Sequence, residues 1–399
     1  MKRALFLVLA FLLAVPAGGC LTTNTVDESG YVLAIGFDPG ETFAYRVSFA
    51  VQKISTGSSE PSTDGFMLFS AEAENLFQAI ETVSANAPYQ LSFVRTAMLI
   101  FDQKLLEDAG RLSSIMNTAM ERLRIRYNAN VFVALDGAKK VLEGLNSQES
   151  PQSIDKLQEH FLAYARDTGM LPEVTFLMLY QGIRQPTSDA VIPLMGTNED
   201  IRRLGTADSV GETDYAYLGG RTATQTQLQT GVAGLGLMEA DRLVGILSGQ
   251  NTQLLLMATG DFQTGDMQLP LPDGSGMATV AVRMQRAPKT ELALGEPPAA
   301  LVRIHLEADL LHPEILGNTS NEELEAHFAH LLEQRLQAVF LTCRALGSDA
   351  FGFGKLAVKK FSSVSEWEAY DWKARFQGLE ARFEVSVVIQ DYASRKLFQ

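Results

Sequence analysis

Cysteine is nearly missing from this chain: Cys20 and Cys343 are the two among 399 residues. Cys20 has a separate assignment below, so no disulfide framework is available and packed cores must hold the fold. Cys343 lies in Glu333 to Cys343, where apolar residues recur at helical spacing, and reads as a small buried hydrophobe. Basic charge is also short, with 33 Lys and Arg against 47 Asp and Glu, a net of −14. A body of that sign is repelled by nucleic acid and by anionic lipid heads, so no nucleic-acid partner is expected.

Histidine is scarce too, the five being His160, His305, His312, His327 and His330. His327 and His330 are spaced to share one helix face with Glu323 nearby, but no further ligand is signalled, and a solvated face is the better reading. Neither metal nor cofactor is expected. The catalytic signatures are equally thin. No Gly-x-Ser-x-Gly elbow occurs, and Phe351-Gly352-Phe353-Gly354-Lys355 lacks the spacer and hydroxyl of a phosphate loop. Ser153-Ile154-Asp155-Lys156 fits the Ser-x-x-Lys of acyl enzymes, with Ser84-Ala85-Asn86 and Lys289-Thr290-Glu291 imitating the companion motifs. Their order is wrong and the last should end in Gly, so a cell-wall hydrolase ranks third and the expectation is no enzyme.

What is present begins at the front. Lys2-Arg3 precedes the apolar run Leu5 to Val15, which ends in Ala17-Gly18-Gly19-Cys20. About a dozen apolar residues are too few to span a bilayer, for which roughly 20 are needed. A positive head, a short apolar run and small residues make residues 1–19 a signal peptide. A Cys at the first position after the small residues fits a lipobox, in which diacylglycerol is attached to the sulfur before cleavage. Two acyl chains hold firmly where one would not. Cleavage removes Lys2 and Arg3 from the 33 basic residues and leaves 31 against 47 acidic, so lipid rather than basic surface must supply the attachment.

Beyond Cys20, Gly30 to Phe37 and Phe43 to Val51 are β-rich runs around the turn residues Asp38-Pro39-Gly40-Glu41. Helical spacing over Glu72 to Ala87, strand-like runs at Thr96 to Phe101 and Ala129 to Leu135, and helices over Gln103 to Leu123 and Gly137 to Leu145 follow, the last with Asp136 as its expected N-cap. Residues 20–184 therefore form an N-terminal region of two subdomains, about 24–145 and 146–184 plus part of the linker that follows. Periodicity fails from Gln185 to Gln225, which reads as a linker. Residues 226–399 form a C-terminal domain: a hairpin at Gly231 to Met238 and Arg242 to Leu247, a Ser248-capped helix, then strands at Asp266 to Leu271, Met277 to Met284 and Ala299 to Leu310. Ser320 and Glu323 make a capping box for the longest helix. Helices over Ala350 to Phe361 and Val364 to Phe376 lead to a closing strand. Strands alternating with helices in both halves give a mixed α+β fold class.

Two stretches carry a family resemblance. Gly231-Val232-Ala233-Gly234-Leu235-Gly236-Leu237-Met238, continuing through Gly245 to Asn251-Thr252, resembles a signature of the Ger(x)C family, the C subunits of spore germinant receptors. The second runs from Glu314 across the long helix to Asp349-Ala350-Phe351-Gly352-Phe353-Gly354 and on to Trp367, Trp372 and the last strand. Gly231, Gly245, Asp349, Gly352, Gly354 and Trp372 are the family-motif structural positions. The resemblance implies a non-enzymatic lipoprotein of three α/β subdomains, anchored at Cys20 to the outer face of the inner spore membrane and working with membrane A and B subunits. Leu21 and Thr22 depart from the Trp and acidic residue common after the lipidated Cys. A solute-binding lipoprotein serving a transporter is the alternative from another class.

Overall fold

The computed structural model describes residues 29–52, 65–146, 154–185, 187–197, 230–311 and 319–390. Nine strands come first in the chain: β1 Ser29–Pro39, β2 Tyr45–Gln52, β3 Phe66–Ala73, β4 Gln90–Ser92, β5 Met98–Asp102, β6 Asn130–Ala134, β7 Val191–Thr197, β8 Thr230–Glu239 and β9 Arg242–Leu247. All of them join one sheet in the order β3-β2-β1-β5-β6-β7-β8-β9, with β4 beside β1. The pairs β1–β4, β1–β5, β5–β6 and β6–β7 are parallel, and the other pairs are antiparallel.

The apolar runs 98–102 and 130–134 are central strands because helices cover both faces of the sheet. Leu99, Phe101, Val131 and Val133 pack on one side with Leu76, Val83, Leu112, Met116 and Leu179. Met98, Ile100 and Phe132 pack on the other with Val141, Leu142, Leu145, Leu157 and Phe161. Helices Leu76–Asn86 and Arg111–Arg122 thus lie on one face, and Ala138–Asn146 and Ile154–Thr168 on the opposite one.

Four later strands, β10 Thr264–Pro270, β11 Met277–Ala293, β12 Ala299–Leu310 and β13 Glu380–Ile389, form a second sheet in chain order. Only its inner face is covered, which explains the strict in-out alternation along β13 and the near alternation along β12. The long helix Asn321–Ala345 supplies the cover, its Leu324, Phe328, Leu332, Leu336, Val339 and Phe340 all buried against the sheet. Ser320 and Glu323 make the reciprocal capping-box bonds the sequence predicts. Helix Gly249–Thr259 is buried on nearly every side because it sits between Leu235, Leu237 and Leu247 of the first sheet and Met267, Val280 and Val302 of the second.

Several expectations change. A strand, β7, runs inside the expected 185–225 linker, and the 230–247 hairpin expected to open the C-terminal domain is hydrogen-bonded into the first sheet. The division between the two sheets falls after β9. Pro193 and the Gly, Thr and Asp around it disguise the short apolar run Val191 to Met195; the ladder shifts register at Pro193, where no N–H is available. Asp136 does not cap Ala138–Asn146. Its carboxylate meets Lys140, while Asp38, 100 residues earlier, accepts from Ala138 N–H at 2.6 Å and Lys139 N–H at 2.9 Å. The expected helix 350–361 is shorter, Phe353–Ala357 plus one tight turn Val358–Lys360.

Candidate functional site

Four of the six family-motif positions, Asp349, Gly352, Gly354 and Trp372, come together where the second half meets the first sheet. After the long helix, Gly347 at φ 72° turns the chain, and Ser348 donates its hydroxyl hydrogen to Met238 O in β8 at 2.7 Å. Asp349 follows at 3% exposure. One of its carboxylate oxygens accepts from Phe353 N–H at 3.0 Å, and the other accepts from Gly354 N–H at 2.7 Å and the Trp372 indole N–H at 3.0 Å. Gly352, at φ 73°, allows the left-handed turn that aims those amides back at the carboxylate.

Gly354 is fixed by space. A Cβ there would stand 2.1 Å from Thr187 O and 2.6 Å from Trp372 Nε1. Glycine is therefore what lets the segment leading into β7 and the Trp372 ring close on the same point. Asp189, on that same lead-in, accepts from Ala240 N–H at 2.7 Å with one oxygen and from Asp349 N–H at 2.8 Å with the other. Two aspartates thus tie four chain segments: 187–190, the β8–β9 turn, 348–354 and the helix start at Trp372.

Burial pushes the Asp349 carboxyl up to about 7, and the nearby Asp189 charge pushes the same way. The three N–H donors hold the ionised form. Burial likewise raises the Cys343 thiol to about 12, so this thiol is an inert core group as the sequence suggests. A carboxylate enclosed by two amides and an indole touches no outside reactant. Its chemistry is that of a latch.

Around it lies an aromatic block. The Phe351 and Phe353 rings stack at 5.6 Å, Phe340 meets both edge-on at 5.8 and 6.0 Å, and Trp367 stacks on Trp372 at 6.3 Å. The structure thus assigns these rings to packing. Gly245 in β9 also answers to a neighbour, since a Cβ there would meet Leu346 Cδ1 at 2.5 Å. Gly231 pairs with Gly196 across β7 and β8, away from the latch.

Other sequence candidates disperse. His327 bonds Pro270 O at 3.0 Å and His330 bonds Gln334 at 2.9 Å, and no metal-holding cluster occurs among the described residues. Ser84 and Lys289 fall on separate elements, helix Leu76–Asn86 and β11; Ser153 and Cys20 lie outside the described residues. Asp189 was missed because a Thr-Ser-Asp stretch looks like solvent loop, and nothing local marks its two long-range donors.

Beside the latch opens a cleft of about 990 Å³, walled by the 171–182 segment and by Gly352 to Lys359, and lined also by the end of helix Gly249–Thr259.

The model of the spore germination protein N-terminal domain matches residues 23–197, and that of the spore germination B3/GerAC-like C-terminal domain matches 233–392. The chain belongs to the GerAC spore germination family. Its fold agrees. The crystal structure of the GerBC protein superposes with a TM-score of 0.53 at 14% identity, covering 90% of this chain and 97% of that one. No curated protein matches the chain. The GerAC C-terminal model takes in most of the β8–β9 hairpin, from residue 233 on, and the latch residues 348–372, so that family unit reaches across the two sheets rather than stopping at one.

Proposed function

We propose that this GerAC-family chain is the C subunit of a spore nutrient germinant receptor. It acts by protein contact, without catalysis, alongside membrane-spanning A and B subunits. A diacylglycerol on Cys20 tethers it to the outer face of the inner spore membrane. The observation that carries this reading is the pair of family domains in order over 23–197 and 233–392, which takes in most of the chain after Cys20. The GerBC-like fold supports it. The strongly perturbed carboxyl, Asp349, is enclosed by donors of its own chain, which fits a scaffold better than an active centre. No helix among the described residues is long and apolar enough to cross a membrane, and the reading gives the task of attachment to Cys20.

Cys20→Ala in spores tests it. The expected result is loss of the protein from the inner membrane fraction together with loss of nutrient-triggered germination. Retention of both refutes the anchor, and failure of A and B subunits to co-purify with the wild-type chain from spore membranes refutes the partnership.

A further inference from the structure

The cleft beside the latch has opposite walls from different parts of the fold, one from the 171–182 segment and one from Gly352 to Lys359. Part of its lining is apolar and buried, with Leu171, Val174 and Leu179 on one side and Leu255 and Phe351 on the other. Met178, 54% exposed, adds an apolar rim. Clefts between packed elements that combine apolar lining with placed polar groups are a usual shape of small-ligand sites.

The edge supplies charge. Lys355 and Lys359 stand one helical turn apart on the same wall, and neither has an ion-pair partner among the described residues. That is notable in a chain with 47 acidic residues against 33 basic ones. None of the carboxylates that also line the cleft forms an ion pair with them. Asp189 spends both oxygens on backbone amides, Asp261 accepts from the Thr259 hydroxyl, and Glu173 sits on the other wall.

We propose that this cleft binds a small organic anion, its apolar body on the Leu171–Phe351 lining and its acidic group between Lys355 and Lys359. The inference goes beyond the receptor-subunit reading and does not depend on membrane partners. All described packing starts at Ser29, so the chain from residue 20 onward carrying Cys20→Ser keeps every contact used here.

The probe is anilinonaphthalene sulfonate, an aromatic body with one acidic group, titrated by fluorescence and displaced by hexanoate. The expected result is one saturable site per chain that weakens with salt. Lys355→Glu/Lys359→Glu should weaken it roughly tenfold or more, and Met178→Asp should weaken it by a separate route. An unchanged urea midpoint in each variant separates loss of the site from loss of fold. Unchanged affinity in the double Lys variant, or binding that never saturates, overturns the proposal.

Discussion

Removing the Asp349 carboxylate by Asp349→Ala leaves Phe353 N–H, Gly354 N–H and the Trp372 indole N–H without their acceptor in a site that is 3% exposed. Each orphaned buried donor costs about 1–3 kcal/mol. Three would give roughly 3–9 kcal/mol, reduced because the variant no longer buries a carboxylate and because water can enter the vacated space; a loss of about 3–5 kcal/mol is expected. That is a large share of the roughly 5–15 kcal/mol of a typical domain. Urea unfolding of the chain from residue 20 onward, with Cys20→Ser, measures it. The pH dependence adds a second test with a definite sign. The folded-state pKa, about 7, is raised above the unfolded value, so the native protein holds an extra proton between them. That contribution is complete below the unfolded value and is lost as pH rises through the folded one. Asp349→Asn has no such proton, so its deficit against wild type should shrink by roughly 2–3 kcal/mol between about pH 5 and about pH 8. A deficit below about 1 kcal/mol for Asp349→Ala would refute the latch. A deficit for Asp349→Asn that stays constant across that range would mean that the three amide and indole donors keep the carboxylate ionised throughout.

Gly354→Ala should be among the most damaging small substitutions, because its Cβ meets backbone at Thr187 O (2.1 Å) and cannot be relieved by a rotamer change. A loss of several kcal/mol, on the order of 3, together with faster protease cleavage near 187–190, is the expected readout. Gly245→Ala should cost less, about 1–2 kcal/mol, since its clash is with the movable end of Leu346. Cys343, fully buried with its thiol raised to about 12, should react with a thiol reagent only at the rate of global unfolding; rapid labelling of the native chain would contradict its core placement. At the outer edge of the second sheet, Val385 N–H and Ile389 N–H donate to Glu333 and Glu325 of the long helix at 2.9 and 2.8 Å. Glu325→Ala/Glu333→Ala uncovers that strand edge, and concentration-dependent self-association by sedimentation should increase.

The strand and helix periodicities were local, and the sequence alone carried them. The helix caps at Ser248 and Ser320, the closing strand and the buried character of Cys343 depend on neighbours within a few residues, and all appear as read. The mixed α+β class followed from element order, and the family from long runs of residues with no chemistry of their own. What the sequence could not determine is which distant groups meet. Asp38 looked like a hairpin residue and caps a helix 100 positions on. Asp189 and Pro193 looked like linker and instead belong to a latch and a central strand, because local composition says nothing about a donor supplied by Ala240 or by Asp349. Gly354 reads as a glycine that lets the backbone pack closely, but only the fold shows that Thr187 and Trp372 are what pack against it. Tertiary structure made these assignments, since a buried polar group is tolerated only where the fold delivers its partner.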